Sequence, residues 1–408
     1  MLSTSQGVLT SARPVTLRRV SCTIPDHNGS QVDVLPPLPS SRQHTGATTL
    51  AELTTIGVGG SVATYVEAST EAEFVDAIRE ADDTGVPLLI LGGGSNILPS
   101  DDSFPGIVVR DTRSGIELLQ EGGCEGAHIR VLAGTAWDEL VVHAIEHEWM
   151  GLEFLSGIPG SVGAAPVQNI GAYGQEVAAV IARVRTWDRL RGEFHTFTLS
   201  ELDFGYRHSL LKTTMSEGSP SPRYAVVSVD FQLRHASLSA PVRYSQLAAL
   251  LDVEAGERVP MSQVRAAVVE LRRSKGMVLD DTNRDTFSCG SFFTNPVLSQ
   301  EEAEGLPESA PRFGVSDESR AVLGAAAPSK EGRIKTSAAW LIDHAGFPAG
   351  FALKGSRAAL SSAHCLALTN RGGASGRELR ELARHIQTGV EERYGVHLEP
   401  EPVILDGL

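Results

Sequence analysis

Apolar positions recur along this chain with two periods, and the alternation between them outlines a mixed α/β protein. Phe74, Ile78 and Ala81 share one helix face; Thr70 caps that helix, Glu73 completes a capping box and Gly85 ends it. The run Val86-Pro-Leu-Leu-Ile-Leu91 is short, apolar and stopped by glycines, which predicts a buried strand. Further strands are expected at Gly106–Arg110 and His128–Ala133, near 180–187 and 193–198, and at 224–233. Between them Trp137, Leu140, Val141, Ala144 and Ile145 take helical spacing, and 213–222 reads as an exposed loop. Val264, Ala267, Val268 and Leu271 mark another helix, ending in Arg272-Arg273-Ser-Lys275. The weakly patterned span 301–333 is expected to be a surface excursion. A last helix starts at Ser375 with a capping box to Glu378 and carries Leu379, Leu382, Ile386 and Val390. The closing stretch Val396–Leu405 reads as a strand that Pro400 and Pro402 confine to an edge or to the rim of a site.

Two glycine-rich segments interrupt this pattern. Gly92-Gly93-Gly94-Ser95-Asn96 follows the first predicted strand, where successive free N–H groups would form an anion nest suited to a pyrophosphate. No Gly-Lys-Ser/Thr follows, so it is not a Walker loop. The Gly-x-Gly-x-x-Gly spacing and following helix of a Rossmann turn are also missing. The second segment, Ile158 to Gly174, is too rich in glycine for a core element and too apolar for a solvated linker. Read alone it is either a buried, turn-rich connection or a chain wrapped around a flat, charged ligand. The two loops together point to a dinucleotide on a non-Rossmann scaffold.

Composition narrows the function classes. The 408 residues suffice for two or three domains, and a formal net charge of −15 argues against recognition of a nucleic-acid backbone. Four scattered cysteines (Cys22, Cys124, Cys289 and Cys365) have no metal spacing and fit a reducing compartment. His143 and His147 stand at i, i+4 without a third ligand, so no metal site is expected. No apolar run approaches the roughly 20 residues of a membrane span. The first 25 residues are basic and rich in Ser and Thr, lacking the apolar region of a secretory signal. Residues 1–47 are expected to form an unstructured extension, or to reflect an overlong start.

Three further segments place a polar residue among apolar or glycine neighbours. They are Phe204-Gly-Tyr-Arg207, Ser288-Cys-Gly-Ser291-Phe-Phe-Thr-Asn295 and Leu398-Glu-Pro-Glu401-Pro. An arginine beside aromatics can present its fork to a carboxylate or phosphate, or can simply stack on Tyr206. Ser291 lacks a nucleophile elbow, and Glu401 between prolines suits either acid/base work or a plain strand edge.

In order along the chain, Leu91–Asn96, Ile158–Gly163, Gln168–Gly174, Phe204–Arg207, Gly290–Phe293 and Leu398–Glu401 resemble the motifs of the UDP-N-acetylenolpyruvoylglucosamine reductase (MurB) family. The resemblance runs from about Thr54 to Ile404. It implies an α/β (α+β) fold of the vanillyl-alcohol-oxidase/PCMH type: a two-part FAD-binding fold with a third, substrate-binding α+β domain. The implied cofactors are non-covalent FAD and NADPH as donor. The implied substrate is UDP-N-acetylglucosamine enolpyruvate, reduced by a cytoplasmic monomer in peptidoglycan precursor synthesis. Family roles carry over to Arg207, Ser291 and Glu401 as catalytic residues. Cofactor contacts would fall on Gly92, Gly93, Gly94, Ser95, Asn96, Gly160, Ser161, Val162, Gly163, Asn169, Gly171, Ala172, Tyr173 and Gly174. Substrate contacts would fall on Tyr244, Lys275 and Asn295. The expected regions are an extension at 1–47, FAD-binding parts at 48–112 and 113–258 (387–408 returning to the latter), and a substrate domain at 259–386. A flavin oxidase of the same superfamily, or a non-catalytic flavin or nucleotide-sugar binding module, is the competing reading.

Overall fold

A computed structural model describes residues 34–42, 46, 48–123, 125–215, 219–314, 333–405 and 407–408. The first region is a three-stranded parallel sheet, with Phe104–Asp111 between Val62–Ala68 and Leu88–Ile90. The helix Glu71–Thr84 covers one face. Its predicted capping box is present, Gly85 ends it in the left-handed region, and Phe74, Ile78 and Ala81 are buried beneath it.

The second region is a six-stranded antiparallel sheet. Its main path runs Glu193–Thr198, Ile181–Asp188, Tyr224–His235, Gly126–Leu132, Ile116–Gly122. Trp137, Leu140, Val141, Ala144 and Ile145 of the helix Trp137–Glu146 bury against it, and the Trp137 Nε1 donates to the Leu155 carbonyl. The helix Met261–Ser274, expected in the substrate domain, packs instead against Phe154, Val242 and Leu247 of this region. Arg265 seals that junction: it is fully buried and pairs with buried Asp138 at 2.8 Å.

A third cluster buries Phe292, Phe293, Leu341, Leu360 and Leu368 beneath the helix Gly376–Tyr394, whose predicted stripe (Leu379, Leu382, Ile386, Val390) is fully buried. Truncating one such leucine to alanine costs about 2–5 kcal/mol. The chain end departs from expectation. Only Val403–Ile404 is strand, and it pairs in parallel with Ile97–Leu98 just after the first glycine loop. Residues 387–408 return to the third cluster and the first region: Pro400 bridges Phe293, the Glu401 N–H donates to the Phe292 carbonyl, and Val403 pairs with Ile97. Of the expected 301–333 excursion, residues 315–332 lie outside the described residues; Gln300–Glu304 is a short capped helix.

The expectation of an unstructured 1–47 also fails in part. Residues 34–42 are laid against the body, with Ser41 and Arg42 buried. The anchors are backbone carbonyls and remote side chains, which composition does not reveal. Residues 1–33 lie outside the described residues.

Candidate active site

One cleft, about 1870 Å³ including its open mouth, is shared by the two glycine loops and the three residues singled out as catalytic. Gly92 to Asn96, Gly160, Ser161, Gly163 and Gly171 line it together with Arg207, Ser291 and Glu401. Five residues expected on this wall lie off it. Val162 is in the core, and Ala172 and Gly174 face elsewhere. Asn169 is buried, its side chain spent on Glu176, Gly205 and Ala178. Tyr173 packs against Tyr244 in the cluster described below.

The first loop is packed so tightly that only glycine fits. A Cβ on Gly93 would overlap the Ser40 carbonyl and come within 2.8 Å of Gly160 Cα. On Gly94, at φ +66, it would overlap the Leu53 carbonyl. Among the described residues, none of the N–H groups of Gly92 to Asn96 has a protein acceptor. Backbone donors as buried as those of Gly93 and Gly94 are almost always paired, so this run of open N–H groups suits an anion. The second loop is different. Its Gly160, Val162 and Gly163 N–H groups donate to the carbonyls of Ser40, Thr135 and Ala133.

At the other end of the cleft, Arg207 sits at φ +98, a conformation that costs a non-glycine residue about 1–3 kcal/mol. Its guanidinium donates to the carbonyl oxygens of Asn169 (2.9 Å) and Gly171. A Cβ on Gly171 would stand 2.9 Å from Arg207 Nη1, so glycine here lets the fork approach the backbone. Arg207 Nε lies 3.4 Å from Glu401 Oε1, an ion pair too poorly aligned to count as a hydrogen bond, which leaves that buried N–H unpartnered. Lys212 Nζ donates to the Gln168 side chain and the Arg207 carbonyl, and burial lowers its pKa. Ser291 is half-buried on the same wall, and its hydroxyl has no protein partner among the described residues.

Tyr244, Lys275 and Tyr173 meet beside the cleft. The two rings pack edge to face at 5.3 Å, and Lys275 Nζ lies 5.9 Å from each ring centre. Lys275 donates to Gln246 at 3.0 Å, and burial together with Arg272 lowers its pKa. Asn295 stands apart. It borders a second cleft with Tyr206 and Lys212, takes the Ala338 N–H on its side-chain oxygen, and gives its own N–H to the Tyr206 hydroxyl.

Sequence reasoning passed over Gln246, Lys212 and Arg272. Arg272 is buried on the cleft wall and donates to the carbonyls of Gly157 and Met277. The adjacent basic residues at the end of its helix were the one available signal. Cys289 is inert filler, its thiol pushed up to about 12 by burial.

These residues suit a flavin dinucleotide: open N–H groups for a pyrophosphate, apolar walls from Leu89, Leu91 and Val226, and a cationic reacting end. Comparisons with known proteins agree. Residues 52–198 match the FAD binding domain model, and residues 282–405 match the C-terminal domain model of UDP-N-acetylenolpyruvoylglucosamine reductase. The chain is 49% identical over 357 residues to that reductase of Cutibacterium acnes, covering 87% of this chain and 89% of the relative. It is 45% identical over 358 residues to the one of Salinispora arenicola, covering 88% and 94%. The crystal structure of the reductase from Thermus caldophilus aligns with a TM-score of 0.53 at 25% identity, over 87% of this chain and 97% of that one. With half its residues shared across nearly the full length of such a relative, the chain belongs to the UDP-N-acetylenolpyruvoylglucosamine reductase family.

Proposed function

We propose that this cleft reduces the enolpyruvyl ether of UDP-N-acetylglucosamine enolpyruvate to the lactyl ether of UDP-N-acetylmuramate, with NADPH as donor and FAD as carrier. The observation that carries this reading is that Arg207, Ser291 and Glu401 share one cleft wall with the open N–H groups of Gly92 to Asn96. A flavin held by the Gly92 to Asn96 loop would supply hydride chemistry at C3 of the enolpyruvyl group. Negative charge then develops on C2 and its carboxylate. Arg207 is already fixed by two carbonyls, so it offers positive charge without reorganising. Glu401, 3.4 Å from Arg207 Nε, balances part of its charge and helps to order this end of the site. Ser291, with its hydroxyl uncommitted, donates the proton to C2 and recovers one from solvent. A hydroxyl is a weak acid but an adequate one toward a carbanionic carbon.

Lys275 and Tyr244 take the sugar-nucleotide diphosphate, with Gln246 orienting the ammonium group. Asn295 aligns the sugar end from the neighbouring cleft. The first two regions hold the cofactor, and the third cluster carries Ser291 and Glu401 to it. The enzyme works in the cytoplasm as a monomer; no helix among the described residues is long and apolar enough to cross a membrane.

The test is anaerobic. NADPH should bleach the yellow protein, and the enolpyruvyl UDP-sugar should then restore the colour at once. Bleaching by an alcohol with recovery only in oxygen would make it an oxidase instead. No bleaching at all would leave a binding module.

A further inference from the structure

The segment 34–42 crosses the back of the cleft and is fastened along its whole length. Arg265 donates to the carbonyls of Leu35 (2.8 Å) and Pro36 (2.7 Å) while it pairs with Asp138. Asp138 in turn accepts from the Leu38 N–H at 2.7 Å. The Ser40 carbonyl takes the Gly160 N–H at 2.9 Å, and the Ser41 hydroxyl takes Arg110 Nη2 at 2.8 Å. Arg42 ends the segment with its guanidinium 3.5 Å above the Phe287 ring. It donates to the Thr55 carbonyl and to both oxygens of Thr286 at 3.1 Å, and pairs with Asp281.

These anchors touch four residues of the cofactor site without lining it. Gly93, Gly160, Thr55 and Thr286 line the cleft; Ser40 and Arg42 do not, yet they hold those four residues from outside. The close approach that excludes a side chain at Gly93 is made by the Ser40 carbonyl, so that glycine answers to the strap as well as to a ligand. The strap also joins regions that are remote in sequence: Asp138 and Arg265, the two glycine loops, and the Asp281–Phe287 turn leading to Ser291. The FAD-binding match begins at residue 52, beyond it.

We propose that residues 34–42 are a positioning strap that completes the cofactor site, with Ser40 setting the distance between the two glycine loops and Arg42 tying them to the wall that carries Ser291. The proposal rests on the flavin reading of the cleft. Because the strap bonds the walls and not the ligand, its loss lets the walls separate, and the dinucleotide escapes faster. Arg42 contributes charge-assisted hydrogen bonds worth more than neutral ones, so the effect of removing it should be large enough to measure.

The experiment measures the rate at which free FAD fluorescence appears when holoprotein is diluted to a concentration too low for released flavin to rebind. Deleting residues 2–33 should leave release unchanged. Deleting 2–42 should speed it roughly 10-fold or more, and a peptide of residues 34–42 added in trans should slow it again. If the longer deletion does not fold, Arg42→Ala in the full chain decides, with release at least several-fold faster and Arg42→Lys in between. A merely structural strap would lower the unfolding temperature without any recovery by peptide or lysine. Full-chain release rates in the longer deletion, or in Arg42→Ala, would overturn the proposal. Full-chain protein that never binds flavin would instead overturn the reading of the cleft itself, whereas flavin lost only from the longer deletion supports the strap.

Discussion

The two glycine loops have similar composition and opposite chemistry. Gly92 to Asn96 keep their N–H groups open and present donors, which suits an anion. In the 158–174 segment Gly160, Val162 and Gly163 donate to carbonyls elsewhere in the chain, and Asn169 and Gly171 present carbonyls that accept from Arg207. On the proposed function, one loop would hold negative charge, and the other would hold the cation that meets negative charge as it develops. Glycine serves close approach in both, but the group brought close differs, and only the destination of each backbone hydrogen bond tells them apart.

The most damaging way to break this contrast is at Gly94. Gly94→Ala forces a Cβ into the Leu53 carbonyl at φ +66, so purified protein should contain little or no flavin by absorbance. Gly85→Ala is the matched control. It has φ +68 but open space around it, and should lower stability by only about 1 kcal/mol with full flavin content.

At the second loop the damage should be of another kind. In Gly171→Ala the new methyl comes within 2.9 Å of Arg207 Nη1, the Gln175 carbonyl oxygen and Glu176 Cγ, so the guanidinium and the local hairpin must shift together. Flavin should stay bound, while reoxidation by the sugar substrate slows about 10²–10³-fold, the usual loss when one oxyanion donor is misplaced. Loss of flavin in this variant would show that the second loop also carries the cofactor.

How much of this was legible in sequence depended on range. The capped helices Glu71–Thr84 and Gly376–Tyr394 were readable because a capping box and an apolar stripe are local signals. The strand Ile116–Gly122 was missed because five of its seven residues are exposed, which erases the alternation. The catalytic candidates were legible through motifs, and they do share a cleft. Which loop donates and which accepts was not legible, since it turns on partners such as Ser40 and Ala133 far away in the chain. The strap was invisible for the same reason: Asp138 and Arg265 look like ordinary helix residues until their carbonyl and N–H partners are placed.

A smaller effect lies at the cluster of Tyr173, Tyr244 and Lys275. Lys275→Ala should raise the KM for the UDP-sugar about 10–100-fold, the range for a lost charged hydrogen bond, and leave flavin reduction by NADPH unchanged. Burial and Arg272 lower the pKa of Lys275, so its charge is lost at a lower pH than for a free lysine. KM should accordingly rise on the alkaline side earlier in the wild type than an ordinary lysine would give. The rise should vanish in Lys275→Arg.

The smallest expected effect is on stability. Burial, helped by Lys275, pushes His364 down to about 4. The unfolded chain then takes up a proton at a higher pH than the folded one. Stability contributed here is complete above about 6.5 and is lost as pH falls toward 4. His364→Gln should flatten that part of the denaturation profile, measured by urea midpoints across the same pH range. An unchanged slope would remove His364 from the account.

The central claim is that the cofactor cradle and the reacting end are separable, with Ser291 acting only on the substrate carbon. Stopped-flow absorbance of Ser291→Ala, one half-reaction at a time, tests it directly. Flavin reduction by NADPH should proceed at a near-normal rate, whereas reoxidation by the enolpyruvyl UDP-sugar should slow by about 10²–10⁴-fold. Ser291→Cys should recover part of that loss, since a thiol can donate from nearly the same place. Equal slowing of both half-reactions, or undiminished reoxidation in Ser291→Ala, would contradict the assignment.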